Sequence, residues 1–173
     1  MRRKIIGVFG AGEEADEQSA RDAFALGKLI AENKWIVLTG GRNVGIMRAA
    51  SEGAKQISDS ITLGILPDDE PIGVSPFVDI PILTGMGNAR NNINVLSCDV
   101  AVAVGKCGAG TVSEIALALK AGKPVVLLNT PDDVTSLALR LSSHNVHKAT
   151  SPMQVIDYIR KLLSESTHYP ISL

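Results

Sequence analysis

Short apolar runs alternate with amphipathic stretches along the whole chain. Two of these runs, Ala101-Val102-Ala103-Val104 and Val125-Val126-Leu127-Leu128, are apolar at every position. Continuous runs of this kind are typical of strands that are covered on both faces, as in a parallel sheet. By the same criteria we predict strands at residues 4–9, 35–38, 61–66, 77–80, 100–104, 125–128 and 146–149.

Helical spacing of apolar residues fills the intervals between these strands. Buried-face positions recur after the first, second and fifth strands, at Ala20, Ala23, Phe24 and Gly27, at Ile46, Met47, Ala50 and Ala54, and at Val112, Ile115, Ala116 and Leu119. Near the end of the chain, Ser151-Pro152-Met153-Gln154 predicts a helix start with an N-cap, a proline at the first helical position and a glutamine that can close a capping box. This alternation predicts an α/β fold with a single Rossmann-like, doubly wound, mostly parallel sheet flanked by helices.

Length and composition narrow the class of protein. The 173 residues suit one domain, which we expect to span residues 1–164, because residues 165–173 lack periodicity and are expected to fray. A net charge of -1 and an aromatic content of 3% argue against a nucleic-acid surface. The sequence lacks the run of about 20 apolar residues that a membrane span needs. The two cysteines suit a reducing compartment, so we expect a cytoplasmic protein.

Loops that follow strands are the ligand sites of doubly wound sheets. The first such loop, Gly10-Ala11-Gly12-Glu13-Glu14-Ala15, fits the relaxed dinucleotide fingerprint. However, Glu13 and Glu14 would repel a pyrophosphate, and no acidic residue ends the second strand to bind a ribose. We therefore interpret this loop as a structural turn.

The second loop is Thr39-Gly40-Gly41-Arg42-Asn43-Val44-Gly45. Adjacent glycines allow a ligand to approach the backbone amides, and Arg42 adds a planar donor that suits phosphate. A glycine-rich turn that only packs closely is an equally good interpretation, because such turns are common between strands and helices.

The third loop, Gly105-Lys106-Cys107-Gly108-Ala109-Gly110-Thr111, predicts an anion site at a helix start, although it does not match a P-loop. Glu114 follows Thr111 at capping-box spacing, which favours a structural role over an acid–base role. Cys107 lies beside Lys106 and the helix end, which favours a low-pKa thiolate. No histidine lies near it in sequence, so we do not expect nucleophilic catalysis.

A polar segment around Arg90 is the fourth candidate. If residues 90–97 are helical, Arg90, Asn91 and Asn94 share one broad face. Several amides and a guanidinium on one face suit an oxygen-rich ligand, and we favour this over a solvated helix start. The sequence has no C-x-x-C or H-E-x-x-H pattern, so we expect no metal site.

Three of these motifs, in this order and spacing, resemble those of the Lonely Guy or "lysine decarboxylase-like" Rossmannoid superfamily. They are Thr39-Gly40-Gly41, Asn88-Ala89-Arg90-Asn91, and Gly108-Ala109-Gly110-Thr111 with Glu114. Residues 84–97 are most similar to the molybdenum cofactor carrier branch. That resemblance implies a small homo-oligomer, a dimer or tetramer, that binds, stores and protects phosphorylated molybdopterin. It also implies molybdenum enzymes or cofactor-synthesis proteins as partners.

The enzymatic branch contains cytokinin-activating phosphoribohydrolases, whose catalytic arginine and glutamate correspond to Arg90 and Glu114. Lys106-Cys107-Gly108 stands where that branch has Pro-Gly-Gly, and a side chain at Cys107 restricts backbone approach. We therefore favour a non-catalytic carrier. The alternatives are hydrolysis of nucleoside 5′-monophosphates and nucleotide sensing without turnover. The expected ligand contacts are Gly40, Gly41, Arg42, Asn88, Arg90, Asn91, Asn94, Gly108, Ala109, Gly110, Thr111 and Glu114.

Overall fold

A computed structural model describes residues 2–165, in which seven parallel strands form one sheet with the order β4-β3-β2-β1-β5-β6-β7. The strands are β1 (Ile5–Gly10), β2 (Ile36–Thr39), β3 (Thr62–Leu66), β4 (Ile80–Leu83), β5 (Val100–Val104), β6 (Val125–Leu128) and β7 (Val146–Ala149). The helices are α1 (Glu17–Glu32), α2 (Gly45–Ala54), α3 (Asn91–Ser97), α4 (Ala109–Lys120), α5 (Asp132–Leu141) and α6 (Pro152–Glu165), and a short 3₁₀ helix (Gly87–Arg90) precedes α3. The predicted Rossmann-like α/β sheet is confirmed. Among residues 2–165, no helix is both long and apolar enough to span a bilayer.

Helices cover both faces of the sheet, which explains the continuous apolar runs. In β5 the valines Val100, Val102 and Val104 pack with residues of α1, α2 and α6. The intervening Ala101 and Ala103 pack with residues of α3, α4 and α5 on the other face. Alternate side chains of a strand point to opposite faces, so a strand buried on both sides has to be apolar throughout.

The predicted strand at residues 77–80 is wrong, because β4 begins at Ile80; the other predicted strands are correct to within one residue at each end. Side-chain hydrogen bonds hold the preceding residues instead. Thr62 Oγ1 donates to the Phe77 carbonyl at 2.6 Å, and the Asp79 carboxylate accepts from the Thr62 amide at 2.9 Å. Pro81 lies within β4, which is an exposed edge strand and can therefore accommodate a proline.

The last helix begins as predicted, with one difference in its cap. Ser151 Oγ accepts from the Gln154 amide at 3.3 Å, but Gln154 Oε1 accepts from the Thr150 amide at 2.9 Å and not from Ser151. The helix also includes Glu165, which we had assigned to the tail. Residues 166–173 lie outside the described part of the chain. Helix α5 was not predicted.

Helices α1 and α2 pack against each other at two glycines, Gly27 and Gly53. A Cβ atom on Gly27 would overlap the carbonyl oxygen of Ala50, and one on Gly53 would overlap that of Phe24. The two backbones are therefore in direct contact, and α2 is held close to the sheet beside the loop that follows β2. This contact requires glycine although glycine is a poor helix former.

We predict that Gly27→Ala and Gly53→Ala each destabilise the protein by about 1–3 kcal/mol, because the added methyl group overpacks the helix crossing. Urea unfolding measures the free energy of unfolding. The control is Gly110→Ala in α4, where a Cβ meets nothing within 4 Å and where alanine favours the helix. Equal stability of all three variants would contradict this account of the crossing.

Candidate functional site

The candidate site lies where the strand order of the sheet reverses. From β1 the chain proceeds to β2, β3 and β4 on one side, and β5 then returns to the other side of β1. Loops that leave β1, β2 and β5 diverge at this point and leave a crevice, which is where such sheets bind ligands. Here the crevice is a cleft of about 200 Å³.

Most of the expected ligand contacts line this cleft: Gly40, Asn88, Arg90, Asn91, Gly108, Gly110, Thr111 and Glu114. The remaining expected residues lie just outside it. Gly41, with a φ of +77°, packs on Gly64 and Leu66 below the loop. Arg42 is exposed and forms an isolated antiparallel β-bridge with Val74. Asn94 lies behind Glu114, to which it is hydrogen-bonded, and Ala109 lines a neighbouring groove.

The first glycine loop also lines the cleft, which our interpretation of it as a structural turn missed. Gly10, Ala11 and Gly12 form one wall. Helix α1 begins later, at Glu17, with Asp16 as its N-cap, and Glu14 instead lies 3.2 Å from the Lys106 ammonium. The two acids therefore do not occupy the helix start, and the spacing of the glycines was the signal that this loop lines the cleft.

Arg90 carries the positive charge of the cleft. Its side chain is 13% exposed and lies beside Gly40, where a Cβ would come within 2.7 Å of Nη1. Its Nε is buried and has no hydrogen-bond partner among the described residues. Burial lowers the pKa of Arg90, but a guanidinium remains charged in proteins. A buried cation with an unused donor indicates a site for an anion.

Glu114 lies next to Arg90, with 3.9 Å between its Oε1 and the arginine Nη1. Burial raises the pKa of Glu114 to about 7, against the opposing effects of Asn94 and Arg90. Asn94 Nδ2 donates to Glu114 Oε1 at 2.7 Å. The favoured capping role is therefore wrong: the N-cap of α4 is Gly108, without a side-chain cap, and the carboxylate faces the cleft.

Cys107 does not have the low-pKa thiolate that its position favoured. Burial, with a smaller contribution from Asp133, raises the pKa of this thiol to about 11. Its Sγ donates to the Gly105 carbonyl at 3.4 Å, while Lys106 pairs with Glu14. At neutral pH such a thiol is protonated, and a thiol is a much weaker nucleophile than a thiolate.

The segment between β3 and β4 holds the two loops that carry the glycine pair and Arg90, a role that the sequence did not reveal. Its Ser75 amide donates to the Gly41 carbonyl at 2.9 Å, and its Gly73 carbonyl accepts from the Asn43 amide at 2.8 Å. Its Pro67 carbonyl accepts from the Gly87 amide at 2.9 Å. These backbone bonds connect both sides of the cleft to one segment. Within residues 2–165, no group of three or more His, Cys, Asp or Glu side chains is arranged to hold a metal ion.

Comparison with known sequences now decides the family. A profile of the SLOG cluster4 family matches residues 3–156 of this chain. The chain belongs to the SLOG cluster4 family. The resemblance to the Lonely Guy superfamily is thereby confirmed, and the glycine loops around Arg90 and Glu114 are those on which it rested.

Relatives of this SLOG protein include solved structures. The molybdenum cofactor binding protein of Rippkaea orientalis is 51% identical, with a TM-score of 0.90, over 94% of this chain and 99% of that one. The molybdenum cofactor carrier protein of Chlamydomonas reinhardtii is 47% identical, with a TM-score of 0.88, over 95% of this chain and 99% of that one. An uncharacterised protein of Archaeoglobus fulgidus is 45% identical over 131 residues, which is 76% of this chain and 83% of that protein.

The raised pKa of Glu114 predicts a pH dependence of stability. Its folded-state pKa of about 7 exceeds its ordinary value of 4.5, so folding favours the protonated form. The proton bound to Glu114 stabilises the folded state relative to the unfolded state. This contribution to the free energy of unfolding is fully present below about pH 4.5 and is lost as the pH rises through about 7. We predict that Glu114→Gln removes this loss, so that the variant gains stability relative to the wild type between these pH values.

Urea unfolding at about pH 5 and about pH 8 measures this difference in the free energy of unfolding. The matched control is Glu32→Gln, which removes an exposed carboxylate at the far end of α1. An identical pH dependence of the wild type and Glu114→Gln would show that Glu114 titrates at its ordinary pKa.

Proposed function

We propose that this SLOG protein binds, stores and protects molybdenum cofactor as a carrier. The observation that carries the proposal is the buried guanidinium of Arg90, whose Nε has no hydrogen-bond partner within residues 2–165, in a cleft walled by glycine loops. The proteins of Rippkaea orientalis and Chlamydomonas reinhardtii, named for binding and carrying this cofactor, share 51% and 47% of their residues with this chain over almost its full length.

The phosphate of molybdopterin fits the donors of the cleft. Gly108 and Gly110 lie at the start of α4, where a Cβ would meet nothing within 4 Å, so an anion can approach the backbone closely. Free amides at a helix start and the helix dipole favour a phosphate. Arg90 pairs with the anion, and the Thr111 hydroxyl and the Asn88 amide are further donors within the lining.

The ring system of the ligand requires more room than the cleft offers. A more open groove of about 720 Å³ adjoins the cleft of about 200 Å³ and shares Asn88, Asn91 and Gly110 with it. Ala89, Ala109 and Leu117 give this groove apolar surface, and Asn92 adds an amide. A planar heterocycle with polar edges suits such a lining. The cleft then holds the phosphate, and the groove holds the pterin.

Protection follows from exclusion of solvent and not from turnover. Walls on both sides of a bound dithiolene reduce its contact with water and oxygen, which limits side reactions. Arg90 and Glu114 would also be the catalytic pair of a phosphoribohydrolase. The identity to cofactor carriers favours the carrier over that alternative.

We predict that Arg90→Ala weakens retention of molybdenum cofactor by about 30-fold or more, because the phosphate loses its buried cationic partner. The measurement is fluorescence of the oxidised pterin that stays with protein purified from a cofactor-producing host. Arg140→Ala, which removes an exposed arginine in α5, is the control and retains the wild-type amount. Unchanged retention by Arg90→Ala would exclude Arg90 from the site.

Incubation with AMP distinguishes the hydrolase alternative. A carrier releases no adenine above background, as measured by chromatography of the products. Steady release of adenine by the wild type that is lost in Glu114→Gln would overturn the assignment as a non-catalytic carrier.

We further propose a homo-oligomer, with molybdenum enzymes or cofactor-synthesis proteins as partners. Met86 and Leu96 are 49% and 54% exposed around the 3₁₀ helix and α3, and such apolar side chains favour association. We expect gel filtration to give a dimer or tetramer, and a monomer at high concentration would contradict this. Cys98 and Cys107 are free thiols, which supports a reducing cytoplasmic location.

A further inference from the structure

We propose that an anion bound at Arg90 displaces Glu114 as the partner of the guanidinium and that Glu114 takes up one proton in exchange. Binding of the ligand is then coupled to protonation of Glu114. The coupling concerns the anion site itself, and it rests on the proposed function only for the identity of the natural ligand.

Arg90 would face two anionic groups in the loaded site, namely the Glu114 carboxylate and the bound anion. Glu114 and Arg90 both line the cleft, so a phosphate that binds the guanidinium lies close to the carboxylate as well. The distance of 3.9 Å between Glu114 Oε1 and Arg90 Nη1 is too long for a hydrogen bond, which leaves the guanidinium donors available to a ligand. Two negative charges beside one buried cation repel each other, and protonation of the carboxylate relieves that repulsion.

Asn94 can serve Glu114 in both protonation states. Its side chain is completely buried, its Nδ2 donates to Glu114 Oε1 at 2.7 Å, and its Oδ1 has no hydrogen-bond partner among the described residues. An ionised carboxylate accepts from the Nδ2 group. After a half-turn of the amide, the Oδ1 atom accepts from the protonated carboxyl. The amide therefore satisfies the carboxyl group before and after it takes up the proton.

The charges around this unit come from few elements. The 3₁₀ helix supplies Arg90, while Arg42 and Asp68, from the loops after β2 and β3, act on Arg90. Helix α5 supplies Asp133, whose charge acts on Cys107. Strands β1, β5 and β6, which pack against α4, consist of apolar residues and glycine. The pKa of Glu114 is thus raised by burial and lowered by the Asn94 hydrogen bond and the Arg90 charge. The resulting value of about 7 places the exchange in the neutral pH range.

Thermodynamic linkage fixes the direction of the effect. If an anion increases the proton affinity of Glu114, protonation increases the affinity for the anion by the same factor. Affinity is therefore highest with Glu114 protonated, below about pH 7, and falls as the pH rises, by at most about tenfold per pH unit for one proton. A carrier with this property releases its anion when Glu114 loses the proton.

Titration calorimetry with inorganic sulfate tests the exchange. Sulfate does not change its own protonation between about pH 6 and about pH 8.5, so proton uptake measured in two buffers of different ionisation enthalpy belongs to the protein. We expect uptake by the wild type and by the control Glu32→Gln, and an affinity that falls with pH. Glu114→Gln should show a pH-independent affinity. Equal pH profiles of the wild type and Glu114→Gln, or no sulfate binding at about pH 6, would overturn the proposal.

Asn94→Ala tests the role of Asn94 as a positioning residue. It removes the hydrogen bond that lowers the pKa of Glu114, so the pH at which sulfate affinity falls should move upward. A role in packing alone would change stability without moving this midpoint. A second measurement needs no variant: the ¹³C titration of the Glu114 carboxyl in the wild type should shift to higher pH on addition of sulfate. An unchanged midpoint in this titration would overturn the exchange.

Protein loaded with molybdenum cofactor separates this proposal from the proposed function. Cofactor held equally well across the neutral pH range would overturn the exchange and leave the carrier function intact. Proton-linked binding of sulfate, together with failure to bind molybdenum cofactor at any pH, would leave the exchange intact and overturn the carrier function.

Discussion

The buried guanidinium of Arg90 is the interaction on which the site depends. The guanidinium occupies the space beside Gly40, where a Cβ would come within 3 Å of both Nη atoms, so a larger residue at position 40 would move the guanidinium from its present place. Arg90 is in turn the last residue of a 3₁₀ helix, whose first residue, Gly87, donates a backbone hydrogen bond to the Pro67 carbonyl. A cation that packing already confines in a buried position loses less side-chain freedom on binding than an exposed arginine would, so its charge can orient an anion as well as attract one.

The sheet topology explains why that cation meets so many backbone amides. Loops that leave β1 and β5 turn to opposite faces of the sheet, because α1 and α4 lie on opposite sides of it. The crevice between them exposes backbone that other loops would cover with side chains. Gly108 and Gly110, where a Cβ would meet nothing within 4 Å, keep this backbone accessible, whereas Gly10 lets its loop pack closely on Ile46. The cleft and its exposed backbone therefore result from the reversal of strand order between β1 and β5.

Local signals predicted the fold and part of the site. The continuous run of β5 and the Pro152 start of α6 depend on the neighbouring sequence alone, and both are observed. The edge strand β4 was misplaced because hydrogen bonds to Thr62, far away in sequence, determine where it begins. Likewise, Glu114 matched the local capping spacing but binds Asn94, a contact that only the packing of α3 on α4 creates.

Glu114 also bears on the choice between carrier and enzyme. A carboxyl group with a pKa of about 7 is partly ionised at neutral pH in the empty cleft, where it could accept a proton from water. An anion at Arg90 makes ionisation less favourable, so the loaded site holds the carboxyl in its protonated form and deprives it of basicity when a ligand is present. In the proposed exchange, a bound anion therefore removes the basicity that a hydrolytic role of Glu114 would require, and it does so through the burial of the carboxyl group beside Arg90.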